Sequence, residues 1–372
     1  MFQRLSDKIF CKESDNMPEN TSTKNLRSIG IDFIKAISVF GVIVIHIAGP
    51  LFYAYPVGSM AWNITLFWGV IVRASVPLFL MCSGALLLDP QKHISLKKLY
   101  LKTIPRIVAA MFFWGMLYKL YNLAEANALS SYRIFHAFKE LLLFNHEYHF
   151  YYMHIILLVY VFLPITRVFV SHASEQILRY SLIVWVVLAI VYPTVNSFYP
   201  FNLLSGMIPQ WGINMTYASI GYGILGYYLK KHPFKIGAGV ILTALSIICV
   251  FAATYVKSMQ QGYLYELFLG GMTIGIFGMA CGIYTLSMRV LRFGNGGISD
   301  VIANIVTGIS KGSFCIYLVH VFFINFFTNI GISAEAFSPI LSIPALALLI
   351  FVFSFVIYLA VSKIPVLNKW II

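Results

Sequence analysis

Charge is what this sequence has least of. Only 10% of its 372 residues are charged, while 60% are hydrophobic; a soluble domain carries about 25% charged residues. That deficit excludes a soluble globular fold. Cysteine is sparse and scattered, at Cys11, Cys82, Cys249, Cys281 and Cys315, four of them within apolar runs and none in a CxxC spacing. Neither a disulfide framework nor a zinc or other metal site is expected. The first thirty residues are polar and mixed in charge, so they do not form a secretory signal. No internal repeat is apparent, and inverted repeats often mark secondary transporters, so their lack counts against transport. Acidic residues number 13 against 26 Lys and Arg, for a net charge of +13. A nucleic-acid partner is not needed to explain that excess if topology explains where the cations fall.

What is present is a series of apolar runs of roughly 20 residues, the length that crosses a bilayer as a helix. They lie at about 31–53, 61–88, 104–123, 151–171, 178–195, 213–229, 236–256, 263–288, 312–331 and 338–362. A helix satisfies its own backbone hydrogen bonds, so lipid permits it where an open sheet edge is forbidden. The expectation is an all-α polytopic membrane protein of about ten spans, with a polar tail over 1–28 and one integral domain over 29–365. With the N-terminus cytoplasmic, the inner segments hold most Lys and Arg, among them Lys92, Lys97, Lys98, Lys102, Arg106, Lys230, Lys231 and Lys235. The outer side keeps only Lys119, Arg133, Lys139 and Lys257. This is the positive-inside pattern, with both termini cytoplasmic. Two outer loops, near 124–150 and 196–212, are rich in Tyr, Phe, Asn and Pro and serve either as caps over a cavity or as interfacial connectors.

Polar residues inside a membrane are costly and usually face the bundle interior or water. In the first span, IDFIKAISVFGVIVIH, Asp32, Lys35 and His46 lie on one stripe. Lys35 and His46 are within about 20° and ~16 Å of each other along a helix. The bland reading is an interfacial ion pair for Asp32 and Lys35, with the lysine snorkelling, and a hydrogen-bonded core histidine for His46. Arg73, in WGVIVRASVPLFLMCSGALLL, falls near mid-depth and cannot shed its proton, so it needs a partner or water; Pro77 and Gly84 allow this helix to bend or pack closely. The ninth span, GSFCIYLVHVFF, sets Ser313, Tyr317 and His320 on one face, where His320 reads equally as a satisfied core residue. The fourth opens HFYYMHIILLVY, and its His149, Tyr151, Tyr152 and His154 read first as an outer aromatic belt. Together, cations lead from the cytoplasm to a histidine that can accept and return a proton, an arrangement suited to a polyanionic ligand from the cytoplasm. The inner loop RFGNGGISD offers backbone amides to phosphate, although a plain linker explains it as well.

These stretches resemble a known family. IDFIKAISVFGVIVIH is similar to the opening helix of the membrane-bound acyltransferase 3 family, D-x-[LI]-R-x10-H. RASVPLFLMCSGALL resembles its second helix, HFYYMHIILLVYVFLP its fourth, and ISKGSFCIYLVH its late S-[FY]-x-I-Y-L-x-H motif. The likeness runs in order from about 28 to 362 and is nearest in kind to the enterobacterial common antigen O-acetyltransferases, which also lack a fused extracytoplasmic hydrolase-like domain. It implies transfer of an acyl group, usually acetyl, from cytoplasmic acyl-coenzyme A to a hydroxyl of an envelope glycan or lipid-linked sugar, by a multi-pass protein of the bacterial inner membrane with no bound cofactor. By position, His46 and Arg73 are the implied catalytic pair. Asp32, Lys35, Tyr151, Tyr152, Tyr317 and His320 become candidates for substrate contact, and Lys35, Lys97, Lys98 and Arg106 for the donor's phosphates. Two positions depart from the family. Lys35 stands where arginine is usual and loses the planar fork that grips phosphate twice, and Tyr151 stands where tryptophan is common. Two other classes share the same intramembrane charges: a transporter or flippase for a glycan or lipid-linked sugar, and a non-catalytic membrane subunit or sensor.

Overall fold

The computed structural model describes residues 28–92, 94–203, 215–291 and 300–372. The polar tail and most of the RFGNGGISD loop lie outside the described residues, as does the greater part of the second outer loop. Within them every regular element is helical, as expected of a chain whose backbone must satisfy itself in lipid. Among the described residues nine helices are long and apolar enough to cross a membrane. The tenth expected span is a helix too, Met215–Lys231, at 17 residues on the lower edge of the spanning range.

Helix α1, Ile29–Ala54, is the hub. Its apolar residues are buried nearly all round: Ile31, Ile34, Val39, Val42, Ile43, Val44 and Ile47 are each at most 4% exposed. A helix hydrophobic on all sides belongs in the middle of a bundle. Around it pack α2 (Met60–Ile71) and α3 (Ser75–Leu87) from the second span, then α10 (Ile274–Val290), α11 (Asp300–Asn329) and α12 (Pro339–Ser362). Between α3 and α10 come α4 (Leu96–Glu125), α5 (Ser131–Leu142), α6 (Tyr151–His172), α7 (Glu175–Val195), α8 (Met215–Lys231) and α9 (Ile236–Gln261). A short helix α13, Pro365–Trp370, follows α12.

Two features differ from the sequence reading. The second span is two helices, interrupted at 72–74. Pro77 explains the break: it has no N–H for the carbonyl four residues back, that of Arg73, and its ring crowds that carbonyl. The first outer loop contains the helix α5, which caps itself by Ser130 Oγ accepting from Arg133 N at 3.3 Å. It buries Ala137 and Leu141, against α4. Tyr132, Phe135 and Leu142 of the same helix stay exposed.

Helices in lipid gain little from apolar burial, so close approach through small residues drives their packing. The contact of α3 with α8 depends on this. A Cβ on Gly84 would fall onto the backbone of Gly223, and one on Gly226 onto the backbone of Met81. Gly84→Val should therefore force the helices apart at a cost of about 1–3 kcal/mol or more. Gly308→Val, at a glycine with open space around it, should be tolerated. Thermal unfolding of the two purified variants in detergent checks this; equal melting would show that the close approach is unnecessary.

Candidate active site

Three cavities line up through the bundle beside α1. The inner one, about 280 Å³, is bordered by Lys35, Arg106 and Lys311 together with Tyr152 and Tyr317. The middle chamber, about 330 Å³, is bordered by His46, Arg73, Tyr151, Tyr152 and Tyr317, with an apolar wall that includes Val42, Val76 and Pro77. The outer vestibule, about 790 Å³, shares His46 and Arg73 with the chamber and is ringed by Glu125, Glu266 and Glu335. Tyr152 and Tyr317, rings 5.4 Å apart, partition the inner cavity from the chamber. His46 and Arg73 stand where the chamber meets the vestibule. The series is electrically polarised: cations at the end toward the start of α1, carboxylates at the opposite end.

Proline places both residues of the central pair. His46 lies four residues before Pro50 within α1, as Arg73 lies four before Pro77. At each the helical ladder loses a donor. At Arg73 the helix ends and the side chain turns to a different partner, with Nε donating to the carbonyl of Leu269 at 2.6 Å. Leu269 closes a 3-10 turn, Glu266–Leu269, whose Glu266 accepts from the Tyr53 hydroxyl at 2.7 Å. His46 sits ~12 Å from the outer end of α1, and His320 ~14 Å from the outer end of α11, at 1.5 Å per residue. The two are therefore level, and their ring centres are 5.1 Å apart. Among the described residues His46 makes ring contacts to Tyr148 at 5.3 Å and His149 at 6.3 Å and no hydrogen bond.

Of the residues expected from the sequence, His46, Arg73, Tyr151, Tyr152 and Tyr317 meet around the chamber, and Lys35 and Arg106 meet in the inner cavity. His320 is fully buried behind His46. The aromatic-belt reading does not hold for His149, which is 0% exposed, its carbonyl accepting from the Tyr317 hydroxyl. Asp32 lines none of the three cavities. It is buried against α11, accepting from Ser310 Oγ at 2.6 Å and Thr307 Oγ1 at 3.4 Å. Lys35 reaches the same stretch, donating to the Ser310 carbonyl at 3.0 Å. Lys97 and Lys98 are exposed on the first turn of α4 and line none of the three cavities. The third cation of the inner cavity is Lys311, which lies inside ISKGSFCIYLVH.

Tyr118 was also missed. Its hydroxyl donates to the Leu318 carbonyl at 3.0 Å and accepts from Phe322 N at 2.9 Å, so it sits astride one rung of the α11 ladder, on either side of His320. Such insertions distort a helix locally. A lone buried tyrosine in a span carries no sequence signal of this role. Outside the spans, α5 is tied down by the Lys119–Glu140 ion pair at 2.5 Å, and the bond from Lys119 holds the Glu140 carboxyl below its ordinary value. Burial lowers the pKa of His146, packed on Phe112, Phe144 and Phe150, from 6.5 to about 4, with His154 and Lys119 adding to the effect. It stays neutral at physiological pH.

Chemically, the arrangement puts one imidazole and one guanidinium against a chamber reached from a basic cavity on one side and a carboxylate-ringed vestibule on the other. An imidazole of that kind suits proton transfer or nucleophilic attack, and a fixed cation suits a developing oxyanion. Among the described residues no group of three or more His, Cys, Asp or Glu side chains is placed to hold a metal ion. No curated protein and no solved structure matches the chain. A family model described as an acyltransferase domain matches residues 28–359, nearly the whole of the described bundle. The chain is a multi-pass membrane protein and belongs to the acyltransferase 3 family of acyltransferases.

Proposed function

We infer that this protein transfers an acyl group, acetyl foremost, from cytoplasmic acyl-coenzyme A to a hydroxyl of an envelope glycan or lipid-linked sugar, as an O-acetyltransferase of the bacterial inner membrane similar in kind to the enterobacterial common antigen type. The observation that carries this reading is the position of His46, on the wall shared by the chamber and the outer vestibule, with the basic cavity behind Tyr152 and Tyr317. The donor's phosphates sit at Lys35, Arg106 and Lys311, with Lys97 and Lys98 attracting them from the cytoplasm. The pantetheine arm reaches ~15–20 Å when extended, which spans the ~16 Å from Lys35 to His46 once it passes the two tyrosines. The acceptor occupies the vestibule, where Asn122, Asn325 and Asn329 accompany the carboxylates. Amides and carboxylates hydrogen-bond hydroxyls from both sides, as a sugar requires.

In the reaction the acceptor hydroxyl oxygen bonds to the acyl carbon and the carbon–sulfur bond breaks. The hydroxyl proton passes to His46 and ends on the departing thiol. Arg73 faces the oxyanion of the tetrahedral intermediate. Mass spectrometry of envelope glycans from cells with and without the gene tests the function. One acyl substituent should disappear while the glycan itself is still exported. Unchanged acylation would overturn the reading, and loss of the whole exported glycan would point to transport instead.

A further inference from the structure

His320 carries an unused lone pair. Its Nδ1 is 2.7 Å from the carbonyl of Tyr317, which can only accept, so Nδ1 bears the ring proton and Nε2 is the bare nitrogen. Nε2 is the nitrogen distal to the α11 backbone. It is buried without a hydrogen-bond partner in a residue that is 0% exposed. Leaving such an acceptor unpaired carries a destabilising cost, which a leucine or phenylalanine of similar volume would avoid. The polar side chains around that ring are the imidazoles of His46 at 5.1 Å and His149 at 5.3 Å, with the phenol of Tyr317 at 5.7 Å. The Tyr118 hydroxyl beside it is already committed to the α11 backbone at both its donor and its acceptor sides.

We propose that His320 is a positioning residue for acyl transfer, its Nε2 accepting a hydrogen bond from His46 N–H and so fixing which nitrogen of His46 faces the substrate. Two hydrogen-bonded imidazoles have ring centres roughly 5 Å apart, a ~2.9 Å bond plus about 1.1 Å from each nitrogen to its ring centre. The observed 5.1 Å already meets that separation, and rotation of the His46 ring about its Cβ–Cγ bond completes the contact. His149 stands at a similar 5.3 Å from His320, and both its ring nitrogens are also unpartnered, but it lines none of the three cavities, whereas His46 lines two, so only a bond to His46 acts on a ring that faces substrate. When His46 takes the acceptor's proton, the positive charge that forms is shared through its other N–H with the His320 lone pair. No bond to substrate changes at His320. The role parallels that of the buried carboxylate in a serine-hydrolase triad, with a neutral acceptor in its place.

This rests on acyl transfer at His46, and the experiment separates the two ideas. Two substitutions divide the ring of His320. His320→Asn keeps an amide at the Nδ1 position, able to donate to the Tyr317 carbonyl, but has nothing at Nε2. His320→Gln reaches the Nε2 position with an acceptor oxygen. Each variant is assayed in membranes bearing the host's own envelope glycan, with radiolabelled acetyl-coenzyme A, alongside wild type and His46→Ala. The expected result is a fall in kcat on the order of 100-fold for Asn, with KM for acetyl-coenzyme A within about twofold and melting unchanged, and recovery to within about tenfold of wild type for Gln. Asn at the wild-type rate, or Asn and Gln impaired alike, would overturn the positioning role and leave acyl transfer standing. A wild type that transfers no label would overturn both.

Discussion

His46→Ala should lower acyl transfer on the order of 1,000-fold or more, with the protein still folded. Proton transfer by a placed side chain contributes about 10²–10⁴ in rate, and an imidazole that also carried the acyl group would contribute beyond that. No other described residue of the chamber wall can replace it. The other polar groups on the chamber wall are Arg73 and the phenols of Tyr151, Tyr152 and Tyr317. Arginine does not deprotonate in proteins, and a phenol is no substitute for an imidazole as a base near neutral pH. Folding should survive because His46 is only half-buried at a cavity wall and alanine is the best helix former. Purified protein in proteoliposomes, given labelled acetyl-coenzyme A, reports the rate. An alanine variant that transfers acetyl like the wild type would remove His46 from the chemistry.

Arg73→Leu is the second large effect. Removing one preorganised donor to an oxyanion costs about 10²–10³ in kcat, and the KM for the acyl donor should hardly move, since the donor's phosphates lie in a different cavity. The bond from Nε to Leu269 holds the guanidinium plane while its two terminal nitrogens remain for the chamber. Arg73→Lys keeps the charge and loses that tether, because an ammonium has no fork to share between two partners. It should fall between wild type and Leu. If Arg73 only pins the broken second span to the Glu266–Leu269 turn, both variants would melt earlier, and whatever protein survived would turn over normally. Steady-state kinetics together with melting temperatures of the same preparations distinguish the two outcomes.

How much of the site was legible in the sequence depended on whether a residue's role was local. His46 and Arg73 stood out because ionisable groups in apolar runs are expensive. The proline four residues beyond each was a further signal that the spacing alone did not use. Lys97 and Lys98 looked like donor contacts because they are charged and cytoplasmic. Lys311, equally charged and equally cytoplasmic, borders the inner cavity instead, and only the packing of α11 beside α1 distinguishes them. Asp32 shared a helical stripe with Lys35 and His46, but α11 covers that part of the stripe, and two of its hydroxyls bond the carboxylate. His149 read as interfacial because it begins a span, and the fold instead folds that end inward over α11.

By itself the sequence determined the class of molecule and its topology. Lipid solvates no backbone group, so long apolar runs must be helices, and the placement of Lys and Arg orients them. It also determined which side chains were too costly to bury without a use. What only the tertiary structure decided was which of those side chains meet. His46, Arg73, Tyr152 and His320 come from four separate spans, and nothing in a 3.6-residue period records the neighbours of a helix or the glycines through which two helices close. The chamber, the tyrosine partition and the bare nitrogen of His320 arise from contacts between distant segments.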